Sequence, residues 1–220
     1  MSMEHELGAP DSTSAGHVPG ASRIILASAS PRRKQLLEDA GVDFEVVVSQ
    51  ADKNLPAREW ADPARAVQTL AERKAHAVVA SLPAVQEPTK VIGADTIVML
   101  DGQVYGKPAD EQDARRMIGS MAGRAHQVLT GVSIWTLEPT TPRNEALHTT
   151  FVEVSHVFFK PLTSQDIDEY LACGESLDKA GAYAIQGAGH VLVDHYEGDY
   201  DNIVGLPVAR LLAVLEELDA

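Results

Sequence analysis

The sequence predicts an α/β fold in which a mixed sheet carries flanking helices and two lobes surround a cleft. Three observations lead there. Short β-branched runs alternate with segments of helical spacing along the chain. Residues 91–100 (VIGADTIVML) form a nearly continuous apolar run, as expected of a strand buried on both faces. Two long strand-like runs follow, 126–136 and 150–159, and they argue against a purely parallel sheet.

Taken in order, residues 1–22 are rich in Gly, Ser, Pro and His without apolar periodicity, and read as a flexible tail. A single domain is expected over 23–220, with no internal linker or repeat. Residues 23–27 (RIILA) read as a strand and 31–40 as a helix, with Pro31 in its first turn and Gly41 just past its end. A strand at 44–48 and a helix at 63–80, again opened by Pro, come next. After the strand at 91–100, Asp101-Gly102 signals a hairpin into 103–105. A helix is expected at 110–121, a Pro/Thr-rich loop at 137–147 between the two long strands, and a helix at 164–171 capped by Ser164. A late strand at 191–195 and an amphipathic helix at 207–218 complete the reading.

Composition narrows the function. The 220 residues carry a formal net charge of −14, which repels nucleic acid and anionic membranes. A polyphosphate ligand would therefore need a local cluster of cations. No apolar run is long enough to span a bilayer, and the N-terminus lacks the charged and apolar regions of a signal peptide. The single cysteine, Cys173, can form no internal disulfide, which fits a reducing, cytoplasmic setting.

Five features carry chemistry. In LASASPRRKQLL (26–37), Ser30 is a natural N-cap, Pro31 a natural first helical residue, and Arg32, Arg33 and Lys34 fill the first turn. Cations there oppose the helix dipole, so a bound phosphate explains them best, with Ser28 and Ser30 at the helix mouth as further substrate contacts. A solvated basic helix start is the alternative. Asp95 lies within the apolar run, where a carboxylate must be paired, hydrogen-bonded or metal-bound; it suits a general base or metal ligand, or a structural aspartate. Lys74 falls on the apolar stripe of its helix with Leu70 and Val78, so it snorkels outward or enters a cleft. Lys107 sits on a Gly-Lys-Pro turn after the hairpin. Residues 176–207 are glycine-rich around Asp178, Lys179 and Gln186, as in close backbone approach to a ligand or in an ordinary loop. No dinucleotide fingerprint, Walker A loop or zincin motif is present, and neither the eight histidines nor any Ser or Cys pattern suggests a metal site or acyl transfer.

In order, SASPRR (28–33), IGADT (92–96), GKP (106–108), LTGV (129–132), LDKAGAYAIQG (177–187) and VGLP (204–207) resemble the motifs of the Maf nucleotide pyrophosphatases. The resemblance spans about residues 23–218 and implies a fold related to the inosine-triphosphate pyrophosphatases. It further implies dependence on Mg²⁺ or Mn²⁺, release of pyrophosphate from a nucleoside triphosphate, and a homodimer. Asp95 matches the catalytic acid and metal ligand. Arg33, Lys74, Lys107 and Lys179 match the phosphate-side cations. Arg32, Thr96 and Gln186 match positions that mark the dTTP/UTP subgroup, whereas relatives acting on 7-methyl-GTP tend to show an aromatic residue, Gln and Glu. A glutamine amide can pair with the donor and acceptor edge of uracil or thymine.

The chain departs from the pattern at 50–54 (QADKN), where Lys53 stands in place of the expected acidic residue, and the resemblance leaves two expectations, Asp52 as the substitute metal ligand or a weaker metal site. Two alternatives stay open. One is a pyrophosphatase for 7-methyl-GTP or another non-standard purine nucleotide. The other is a nucleotide-binding regulator of septum formation that does not turn its ligand over.

Overall fold

The structure is a computed structural model and describes residues 22–52 and 54–220. The expected tail, apart from Ser22, and Lys53 therefore lie outside the described residues. Among the described residues one seven-stranded mixed sheet forms the body. It contains β1 (Arg23–Leu26), β2 (Glu45–Val46), β3 (Thr89–Leu100), β4 (Gln103–Tyr105), β5 (Ala125–Leu137), β6 (Leu147–Phe159) and β7 (Val193–Glu197). The order is β2-β1-β3-β5-β6-β7, with β4 pairing β3 off that line. β1 is parallel to β2 and β3, and every other pairing is antiparallel.

The helices are α1 (Pro31–Asp39), α2 (Pro63–Ser81), α3 (Glu111–Met121), α4 (Ser164–Leu171), α5 (Tyr200–Val204) and α6 (Val208–Asp219). The period-2 alternation of β3 divides them between two faces. Ile92, Ala94 and Val98 join a core with Leu37 of α1, Ile118 of α3, Ile167 of α4 and Leu211 of α6. Val91 and Ile97 face the other way, against Val78 and Val67 of α2.

Two glycines seat α2 on its face. A Cβ on Gly93 would lie 2.2 Å from the carbonyl oxygen of Ala71, and one on Gly131 would lie 2.5 Å from the backbone of Val67. Only a residue without a side chain allows that approach.

The differences from the expected elements have local causes. Only Glu45–Val46 of the run at 44–48 pairs as a strand, since it lies at the sheet edge with β1 as its sole neighbour among the described residues. β3 starts two residues early because the buried Lys90 hides its polar end. The Lys90 ammonium donates to the Leu215 carbonyl (3.2 Å) and pairs with Asp219, closing the last turn of α6. The cap of α4 is Thr163 rather than Ser164, in a reciprocal box with Asp166. The late strand begins at Val193, because Gly187–Leu192 coils into a 3₁₀ turn. The short α5, capped by Asp199, is an addition.

Candidate active site

The cleft occupies a gap in the sheet. One edge of β3 is covered by β1 as far as Ile92 and by β4 from Val98 onward. Between them, residues 93–97 pair, among the described residues, only with β5. β1 ends there and turns into α1, so the mouth of a helix faces an uncovered stretch of strand. Ligands in open α/β sheets settle at such divergences of neighbouring connections. The resulting cavity measures about 820 Å³ and reaches from Ser28 to Gln186.

Asp95 points to the α2 face of β3. Its Oδ1 accepts a hydrogen bond from the Lys74 ammonium at 2.5 Å, and the same ammonium donates to the Ala94 carbonyl at 2.9 Å. Gly131 pairs with Asp95 across β5, so the glycine that admits Val67 also brings α2 and its lysine down onto the carboxylate. Lys74 thus enters the cleft rather than snorkelling away. The second Asp95 oxygen accepts no hydrogen bond from a described side chain.

Thr96, one residue on, points to the opposite face and meets Arg33. That guanidinium is buried and donates only to neutral oxygens: Gly205 carbonyl at 2.7 Å, Thr96 hydroxyl at 2.9 Å and Ser28 hydroxyl at 3.3 Å. Among the described residues it has no carboxylate ion-pair partner, and desolvation lowers its pKa from the usual arginine value, against the opposing pull of Asp95. Ser28 also accepts from the Ser30 N–H at 3.2 Å, so both its lone pairs are engaged and its proton remains to be donated. Ser30 caps α1 through the Arg33 N–H, as its sequence context predicts. The three basic residues of that turn diverge: Arg32 and Arg33 line the cleft, whereas Lys34 pairs with Glu38 on the exposed side of α1 at 3.5 Å.

The far wall is the segment from Asp178 to Gln186. The Gly181 N–H donates to the Gly106 carbonyl at 3.0 Å, which ties this segment to the turn bearing Lys107. Lys179 pairs with Asp178, whose carboxyl is held below its ordinary pKa first by that hydrogen bond and further by the charges of Lys179 and Arg32. Arg32 and Asp178 both border the cleft. Ala182 adopts a left-handed conformation (φ 64°), uncommon for a residue with a side chain. The buried Tyr183 hydroxyl lies 2.7 Å from Nε2 of His126, and burial lowers the His126 pKa to about 4 and raises that of Tyr183. Gln186 is exposed and makes no capping bond to the turn it precedes, so its amide is available to a ligand.

Ser28, Ser30, Arg32, Arg33, Lys74, Asp95, Thr96, Lys107, Lys179 and Gln186 all border this one cavity. Asp52 does not; its Oδ1 accepts from the Asn54 N–H at 2.9 Å in a local turn. Sequence reasoning passed over Trp60 and Asn54, which also border the cleft, because nothing in a loop's composition signals what it covers. Arg73 of α2 anchors that loop by donating to the Asn54 carbonyl at 3.0 Å. Among the described residues the lining holds five cations against two carboxylates, Asp95 and Asp178, so a chain of net charge −14 is locally positive where it is concave. Among the described residues no group of three or more His, Cys, Asp or Glu side chains could hold a metal ion. No helix among them is long and apolar enough to cross a membrane.

Comparison with known proteins extends the picture. The chain is 45% identical over 198 residues to a dTTP/UTP pyrophosphatase of Bacillus cytotoxicus, covering 90% of this chain and 96% of that protein. It is 44% identical, with the same coverage, to a dTTP/UTP pyrophosphatase of Bacillus mycoides. Among solved structures it is similar to the Ham1 protein of Staphylococcus aureus, at 13% identity and a TM-score of 0.48 over 89% of this chain and 99% of that one. The family model described as Maf-like protein matches residues 23–218, a span that contains every residue walling the cleft. The chain belongs to the Maf-like protein family.

Proposed function

We propose that this protein hydrolyses dTTP and UTP to the nucleoside monophosphate and pyrophosphate. The observation that carries the reading is the buried Arg33, a cation without a carboxylate partner among the described residues at the mouth of α1, inside a cation-rich cleft of an acidic protein. A buried charge of this kind is costly unless an anion completes it. The names of the relatives supply the nucleotide class.

Water attacks the α-phosphorus, a new P–O bond forms, and the bridging P–O bond breaks to release pyrophosphate. Asp95 takes the proton of the attacking water through the oxygen that Lys74 leaves open. Arg33, Lys74, Lys107 and Lys179 draw the β- and γ-phosphates, and the three lysines oppose the charge that grows on the leaving group. The ion pairs Lys74–Asp95 and Lys179–Asp178 keep Lys74 and Lys179 near neutral balance until phosphate oxygens compete for them. Arg32 and Gln186 face the base.

A divalent cation suits this donor set, since Mg²⁺ commonly binds through one or two carboxylates together with substrate phosphates. Asp95 would hold it. When bound it supplies further charge neutralisation across the phosphate oxygens and makes the attacking water more acidic.

Pyrophosphate release from dTTP, UTP, CTP, 7-methyl-GTP and ITP with Mg²⁺ or Mn²⁺ tests the proposal. Turnover confined to the thymidine and uridine nucleotides is expected. Preference for 7-methyl-GTP or ITP would retain the reaction and remove the base assignment. Nucleotide binding without turnover of any of them would make the protein a nucleotide-binding regulator instead.

A further inference from the structure

Arg33 poses a physical problem. Its charge is buried, yet among the described residues only neutral groups hold it. The hydrogen bonds behind it continue inward. Thr96 Oγ1, which accepts from Arg33, lies 2.9 Å from Thr130 Oγ1 on the neighbouring strand. Thr130 Oγ1 lies 3.1 Å from the backbone carbonyl of Asn202 in α5. The Asn202 side chain donates to the Val128 carbonyl at 3.1 Å and to Ser155 Oγ at 2.9 Å, which locks α5 against β5 and β6. Thr130 and Asn202 are completely buried.

Counting protons fixes the direction of this chain. A guanidinium only donates, so Thr96 must accept from it. Each threonine has one proton to give. The Asn202 carbonyl can only accept, so it takes the Thr130 proton, and Thr130 in turn accepts the proton of Thr96. The opposite arrangement would spend the Thr96 proton on the longer 3.4 Å contact to the Gly205 carbonyl, turn the Thr130 proton to Thr96 and leave the Asn202 carbonyl without it. Every dipole in the row then turns its negative end toward the arginine. Aligned hydrogen bonds of this kind reinforce one another in a low-dielectric interior.

We propose that Thr130 and the α5 backbone at Asn202 form a polarised relay that acts through Thr96 to position Arg33 without neutralising it. A carboxylate in the same place would also hold the guanidinium, but it would cancel the charge that the ligand is meant to meet. Thr96 is therefore a positioning residue, and its hydroxyl is already committed when a base arrives. The inference rests on the reading of Arg33 as a triphosphate contact.

The test uses Thr130→Val, which keeps shape and removes the hydroxyl, and Thr130→Ser, which restores it. Val132→Ala, on the same face of β5 and outside the cleft lining, is the control for lost core packing. Steady-state pyrophosphate release from UTP gives kcat and KM, and calorimetry gives the affinity for inorganic tripolyphosphate, a probe independent of turnover. For Thr130→Val, KM rises about tenfold while kcat changes less than about threefold, as for a lost binding contact. Tripolyphosphate weakens by a similar factor. Thr130→Ser stays within about twofold of the parent, and Val132→Ala does so despite a lower melting temperature. Parent-like KM and tripolyphosphate affinity in folded Thr130→Val would overturn the relay, as would an equal loss in Val132→Ala. A parent protein that binds tripolyphosphate yet turns over no nucleotide would overturn the hydrolytic function alone. One that does neither would overturn both.

Discussion

The two faces of β3 handle charge in opposite ways at adjacent residues. On the α2 face, Asp95 is matched by Lys74 at 2.5 Å and the pair is close to neutral. On the other face, Thr96 meets Arg33 with a neutral oxygen, and the positive charge is preserved. A carboxylate that must accept a proton or a cation gains from a partner that can be displaced. A cation that must draw an anion gains from partners that do not compete with it. One strand position separates the two solutions because successive side chains leave a strand on opposite sides.

The largest effect is expected on the paired face. Asp95→Asn should lower the rate of pyrophosphate release by about a thousandfold, within the range of a lost general base, while circular dichroism reports a folded protein. Near-normal turnover would break the division of labour between the faces.

Next comes acid sensitivity on the other face. His126 is buried against Tyr183 and Phe159, and its pKa falls from 6.5 to about 4. The folded state keeps this imidazole neutral, whereas the unfolded chain takes up a proton below pH 6.5. Stability is therefore full above that pH and is lost as pH falls through about 4, by up to roughly 3 kcal/mol. Urea denaturation at pH 7.5 and pH 5 measures it, and His126→Phe should flatten this part of the profile.

Gly131→Ala sharpens the comparison from the backbone. The new methyl meets Val67 backbone at 2.5 Å, so α2 must lift and carry Lys74 away from Asp95. A loss of about 2 kcal/mol in unfolding free energy is expected from such overpacking, together with reduced turnover. The smallest effect belongs to Lys107, an exposed cation without an ion pair among the described residues. Lys107→Ala should raise KM for UTP severalfold and leave the melting temperature unchanged, in keeping with a screened surface charge.

What could be read from sequence was local. Ser30, Pro31 and the arginines that follow specify a helix mouth within a few residues of one another, and the hairpin at Asp101-Gly102 needs only two left-handed residues (φ 51° and 76°). The apolar run around Asp95 marked a central strand for the same reason. What stayed hidden depends on pairing between distant segments. Nothing near Asp95 reveals that β1 stops at Leu26 and that β4 begins opposite Val98. Nor does the run of three cations reveal that Lys34 turns outward to Glu38, since one helical step of 100° sends neighbours to different surroundings. The glycines of 176–207 concealed α5, whose capping by Asp199 is itself a short-range signal. The Thr96–Thr130 contact joins two strands in a register that only the folded sheet defines.

The gap in β3 has a consequence for how the protein exchanges its amide hydrogens. A strand at the centre of a sheet is ordinarily among the last regions to open. Along residues 93–97, however, every second backbone group is directed away from β5, toward the cleft, and the Ala94 carbonyl already finds Lys74 rather than a neighbouring strand. Amides facing the gap should exchange quickly while their neighbours on either side exchange slowly. A ligand that fills the cleft would slow that subset alone, giving the molecule an intrinsic isotopic gauge of occupancy at its most rigid point.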